Sequence, residues 1–169
     1  MCKFLKIFLL VPLFLFLVSC KGTNSFSTQV YWTEISEVSA NENDLPAKFK
    51  AYSLDIDKLK LAVESNNALE IPTPYGEILT VNVKTSSTMS PALAEKFPEI
   101  RSYVVLNSEK VSSGRIDINP SGFYAMISIE SNTYFINPVE RNSPEYVCYL
   151  KGDTNTNSKN PFFEQNNNP

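Results

Sequence analysis

The sequence predicts an α+β fold: a single domain with a mainly antiparallel, meandering sheet and two short helices. Three observations point there. Between Arg115 and Pro138, apolar and polar residues alternate in three short runs separated by turn residues, the period-two signature of strands with one buried face. Two segments, 58–65 and 90–97, space their apolar residues as helices do and start beside capping residues. The composition, 169 residues with 43% hydrophobic and 20% charged, suits one domain with one core.

Taken in order, the chain opens with Lys3 and Lys6 and then an apolar run, Ile7–Val18, followed by Ser19-Cys20. A basic start before a short apolar core describes a secretory signal peptide, and the run is short for a membrane span of about 20 residues. Its end, Leu17-Val18-Ser19-Cys20, resembles the bacterial lipobox. That resemblance implies a lipoprotein signal peptide over 1–19, cleavage before Cys20 and lipidation of Cys20, so that the membrane is a partner through that anchor. Two or more acyl chains hold a protein stably where one does not, at about 0.8 kcal/mol per buried methylene. Cys2 leaves with the signal, Cys148 becomes the remaining thiol, and no internal disulfide can form although an oxidising compartment would permit one.

Residues 20–29 are small and polar, a tether. The folded domain is expected over 30–151, beginning at Val30-Tyr31-Trp32, with Trp32 as a core or edge anchor. Ser39–Pro46 reads as a loop and Phe49–Asp55 as a strand. Asp57 is placed to cap a helix over Lys58–Ser65, with Leu59, Ala62 and Val63 as its apolar stripe and Leu61 widening it. Ala68–Pro72 and Glu77–Thr85 are strands around the turn Thr73-Pro74-Tyr75-Gly76. Ser90-Pro91 starts a second short helix with Leu93, Ala94 and Phe97 on its apolar side. Tyr103–Leu106 is a strand and Asn107–Gly114 a loop.

The meander follows. Arg115–Asn119 sets Ile116 and Ile118 against Asp117, and Asn119-Pro120-Ser121-Gly122 turns the chain, proline presetting φ and glycine accepting a positive one. Phe123–Glu130 alternates again, Ser131-Asn132-Thr133 turns, and Tyr134–Asn137 is a strand stopped by Pro138. Ile116, Ile118, Phe123, Ala125, Ile127 and Ile129 are the expected core. Glu145–Leu150 is the last strand. The segment 152–169 is asparagine-rich and expected to be disordered, because it has too little apolar surface to offset ordering entropy; Phe162-Phe163 is its one apolar spot.

Several phrases resemble, in order, the N-terminal prodomain of secreted bacterial reprolysin-like (metzincin) zinc metalloproteases. They are Tyr52-Ser53-Leu54-Asp55, Ile71-Pro72-Thr73-Pro74-Tyr75-Gly76, the run Met89–Tyr103, Gly122-Phe123-Tyr124-Ala125-Met126 and Tyr134-Phe135-Ile136-Asn137-Pro138. The family has a histidine where Tyr124 stands and an aspartate where Asn137 stands. Its catalytic domain, with a histidine-rich zinc motif, has no counterpart here. The resemblance implies a propeptide-like domain that inhibits a separate zinc metalloprotease, or assists its folding, in trans. An envelope lipoprotein reusing the fold for structure or ligand binding, and a truncated protease precursor, are the alternatives.

The residues themselves support a non-catalytic reading. The sequence contains no histidine, which removes His-based triads and His-ligated zinc from this chain. The carboxylate pairs Asp55/Asp57 and Glu95/Glu99 are explained by a cap and a helix surface, and Lys58, Lys60 and Lys96 by solvated helix faces. No cofactor or metal site is expected. Net charge is −3 without a basic patch, which argues against nucleic acid. Cys148 is expected in a strand as a small apolar residue. Its sharper reading is a thiolate that enters the open position of a partner's catalytic zinc. Lys21-Gly22-Thr23-Asn24 lacks an acidic export cluster, which points to the outer membrane, facing the periplasm.

Overall fold

The computed structural model describes residues 30–86 and 89–154. The expected signal peptide over 1–19, Cys20, the expected tether over 20–29, and the tail from residue 155 lie outside the described residues. Among the described residues no helix is long and apolar enough to cross a membrane.

Among the described residues nine antiparallel strands form one sheet: β1 (Trp32–Ile35), β2 (Lys50–Leu54), β3 (Ala68–Pro72), β4 (Ile78–Thr85), β5 (Arg101–Val105), β6 (Val111–Asn119), β7 (Gly122–Ile129), β8 (Asn132–Pro138) and β9 (Glu145–Leu150). Their order is β1-β2-β9-β8-β7-β6-β5-β4-β3. The two α-helices among the described residues are α1 (Ile56–Asn66) and α2 (Pro91–Lys96). The α+β reading with a meandering antiparallel sheet is therefore correct. From β4 to β9 each strand pairs with its successor, while β2 reaches β3, at the opposite edge, only through α1.

The sheet coils until its edges meet. The Trp32 indole N–H donates to the Glu70 carbonyl at 2.8 Å, and the Glu70 N–H donates to the Tyr31 hydroxyl. β3 thus lies against β1, and also over β2 and β9: the Tyr52 hydroxyl and the Cys148 thiol point to the carbonyls of Thr73 and Pro72. Coiling of this degree puts one sheet face inside. That inner face holds Ile116, Ile118, Phe123, Ala125 and Ile127, all buried, with Ile129 partly buried at its margin. Trp32 sits among Phe123, Tyr146 and Tyr52 at centroid separations of 5.5, 5.5 and 6.2 Å, all edge-to-face, the arrangement that aromatic quadrupoles prefer.

Local chemistry explains most element ends. α1 is capped by Asp55, two residues before the expected Asp57: the Asp55 carboxylate accepts from the Lys58 N–H at 3.1 Å, and Asp57 lies within the first turn. Hydrogen bonding from Lys58 holds the Asp55 carboxyl below its usual range. Asn67 ends the helix in the left-handed region. Leu59, Ala62 and Val63 are buried as expected, but Leu61 is exposed. α2 also departs from expectation, since none of its residues is buried and Leu93 is exposed; a six-residue helix on the rim has no room to bury a stripe.

Of the two meander turns, one stands where expected and one moves. The β6–β7 hairpin closes at Pro120-Ser121, with the Asn119 side chain accepting from the Ser121 N–H at 2.7 Å and Gly122 at φ +133. The β7–β8 turn is Glu130-Ser131 rather than Ser131–Thr133, and Glu130 takes a positive φ. The second half of the segment expected as a loop, Asn107–Gly114, is strand, since β6 starts at Val111. A register shift between Val111 and Ser113 breaks the alternation that would have revealed it. Gly114 is needed there: a Cβ would meet the Ile127 and Val105 side chains at 2.7 and 2.9 Å.

Candidate functional site

The outer face of the sheet is where the molecule differs most from the simple alternation. At the β2–β9–β8 end it is covered. Phe135, Val147 and Tyr149 are buried there under Val38, Leu45 and Val139. The chain between β1 and β2, expected as a plain loop, is the strap that covers them. It carries a 3₁₀ turn at Glu42–Asp44, and it is tied down where the Ser39 N–H donates to the Glu145 carboxylate at 2.7 Å and the Ala47 N–H to the Asp153 carbonyl at 2.9 Å. Gly152 and Asp153, read above as the start of the tail, belong to a 3₁₀ turn, Lys151–Asp153, at this end.

Beyond the strap the same face is open. Val104, Leu106 and Met126 are 46%, 45% and 47% exposed. Between the open and covered parts lies a groove of about 500 Å³ lined by Arg115, Asp117, Tyr124, Met126, Phe135 and Lys151, within the usual range of small-ligand clefts, ~300–1,000 Å³. Strand register builds it. Arg115 stands opposite Met126, Met126 opposite Phe135, and Phe135 opposite Tyr149; Asp117 stands opposite Tyr124. The floor is aromatic and the rim charged.

The polar groups of the groove have defined roles. Asp117 accepts from the Ser102 hydroxyl with one carboxylate oxygen and from Arg115 Nε at 3.2 Å with the other. This carboxylate is an anchor for Arg115. Burial pushes the Tyr124 phenol up, and Arg141 pulls it part of the way back. Asn137 lies on the same face one position beyond the Ala125–Ile136 pair, beside Tyr124. Its amide donates to the Tyr149 hydroxyl at 2.8 Å, and its buried Oδ1 has no donor among the described residues. Lys151 has no ion pair among the described residues. A second, smaller cleft of about 200 Å³ between α1 and β5 is spanned by the Arg101–Glu64 ion pair at 2.5 Å.

The expected site residues fall elsewhere. Cys148 is fully buried on the inner face, and burial raises its thiol well above the ordinary value. It cannot reach a partner's zinc from there, so the thiolate reading is corrected: a neutral thiol packed in the core acts as a small apolar group. Cys20 lies outside the described residues. Among the described residues no three carboxylate or thiol side chains gather as metal ligands would. The interior contains Tyr52, Tyr134, Tyr146 and Cys148, each raised by burial. These are core groups held neutral.

Tyr124 lines the groove, and by strand register Asn137 is its neighbour on β8. The groove itself was not anticipated. Its signal was present in two runs without alternation, Tyr134-Phe135-Ile136 and Tyr146–Tyr149, because consecutive large apolar residues mean that both faces of a strand are covered. No family model, no curated protein and no solved structure matches the chain.

Proposed function

We propose that the protein is a non-catalytic, lipid-anchored envelope lipoprotein whose domain binds a protein partner, a zinc metalloprotease being the partner that the prodomain resemblance implies. The open part of the outer face carries this reading. It offers an aromatic groove with Arg115 and Lys151 at its rim, beside exposed Val104, Leu106 and Met126. Apolar ground edged by a guanidinium is the usual make-up of a binding hot spot. The ligand-binding alternative, which would have placed an apolar pocket at Trp32, is less favoured: that ring is surrounded by Phe123, Tyr146 and Tyr52 and its N–H is taken by Glu70.

The test is a titration of the domain, released from lipid by Cys20→Ser, against a purified reprolysin-like protease. Inhibition or assisted refolding is expected from the parent domain and from Cys148→Ser alike, with a loss of about tenfold or more, ~1.4 kcal/mol, in Met126→Asp. Absence of binding at micromolar concentration would remove the protease from the proposal.

A further inference from the structure

The groove sits where the described chain ends. Lys151 lines it, and the turn Lys151–Asp153 is held beside it by the Ala47 N–H bond to the Asp153 carbonyl. Fifteen more residues follow Thr154. They are polar except for one spot, Phe162-Phe163, which is followed at once by Glu164. The two halves are chemically complementary. The groove offers the half-exposed Met126 thioether, the accessible edges of the otherwise buried Tyr124 and Phe135, and the ammonium of Lys151. The tail offers two phenyl rings and a carboxylate. Thioethers and aromatic rings attract one another, and so do stacked or edge-on rings.

We infer that Phe162-Phe163-Glu164 docks into the outer-face groove of its own chain, with a phenyl ring on Met126 and Phe135 and the Glu164 carboxylate at Lys151. Reach permits it. Seven residues separate Thr154 from Phe162, and the eight Cα steps span at most about 29 Å when extended, while the attachment point is already at the groove. Tethering also favours it, because a short covalent connection presents the rings at an effective concentration in the millimolar range, so a contact too weak to form between separate molecules forms within one. Where the partner reading above holds, the tail is a competitor that a partner displaces. The docking itself does not depend on that reading.

The test uses the mature chain carrying Cys20→Ser, with no partner present, so that its failure and the failure of the partner proposal are separate results. Phe163 is replaced by the photoreactive p-benzoylphenylalanine and the product is mapped by mass spectrometry. The expected result is a link within one chain to the peptides containing Met126 or Phe135, lost when Met126→Glu is added. Met126 is half exposed, so that variant retains the fold. In parallel, the double variant Phe162→Ser/Phe163→Ser should shift the ε-methyl NMR resonance of Met126 by removing the ring above it. Links only between two chains would assign the groove to a second copy and overturn docking in cis. Links elsewhere, no links, or an unmoved Met126 resonance would overturn the inference as well.

Discussion

The two ends of the outer sheet face are built from the same kind of residue and have opposite fates. At β8 and β9, Phe135, Val147 and Tyr149 are buried by the strap; on and just after β5 and on β7, Val104, Leu106 and Met126 stand half exposed. Strand sequence does not separate them. What separates them is a connection of fourteen residues, 36–49, that crosses one end and leaves the other. The covered end is fixed by hydrogen bonds from Ser39 and Ala47. The open end keeps apolar surface in water, and exposed apolar patches on a folded domain mark interaction surfaces more often than accidents.

Substitutions can sharpen this contrast, and the inner face supplies the upper bound. Ile127→Ala empties a fully buried site and is expected to cost about 2–5 kcal/mol in urea unfolding. A loss below about 0.5 kcal/mol would place that face in solvent. Gly114→Ala forces a methyl against Ile127 and Val105, and about 1–3 kcal/mol is expected from overpacking. On the outer face, Leu45→Ala should cost about 1 kcal/mol by uncovering Phe135 and Tyr149, whereas Val104→Ser should stay within about 0.5 kcal/mol. Equal costs for these last two would abolish the distinction between covered and open ends.

Titration probes the buried groups in another way. Tyr31 and Tyr52 are both pushed up to about 12, mainly by burial, and Tyr134, Tyr146 and Cys148 are raised in the same direction. An acid whose folded pKa lies above its unfolded one binds its proton more tightly in the folded state. Its contribution is complete below the unfolded value, near 9 for the thiol and 10 for the phenols, and is lost as pH rises through the folded value. Unfolding free energy should therefore be flat through neutral pH and fall above about pH 9–10. Ionisation of these buried tyrosines should appear together with loss of structure; their full ionisation in a folded domain at pH 11 would contradict the buried cluster. For the same reason the Cys148 thiol should react with a thiol reagent only at the rate of unfolding.

The sequence by itself determined the strand and helix inventory wherever one local rule governed. Alternation over 115–130 marked the inner face, Asn119-Pro120-Ser121-Gly122 marked a hairpin, and Leu59, Ala62 and Val63 marked a helix stripe, because period and turn chemistry act within a few residues. The helix cap moved from Asp57 to Asp55 and β6 lengthened to Val111 because a cap needs only two residues of shift and a bulge erases alternation. Tertiary structure alone decided the rest: that β3 folds back on β1 through Glu70, that Cys148 faces inward, that the strap covers one end of the outer face, and that Arg115, Met126 and Phe135 stand side by side across three strands. Coiling and register are sums over the whole sheet, and no window of local sequence contains them.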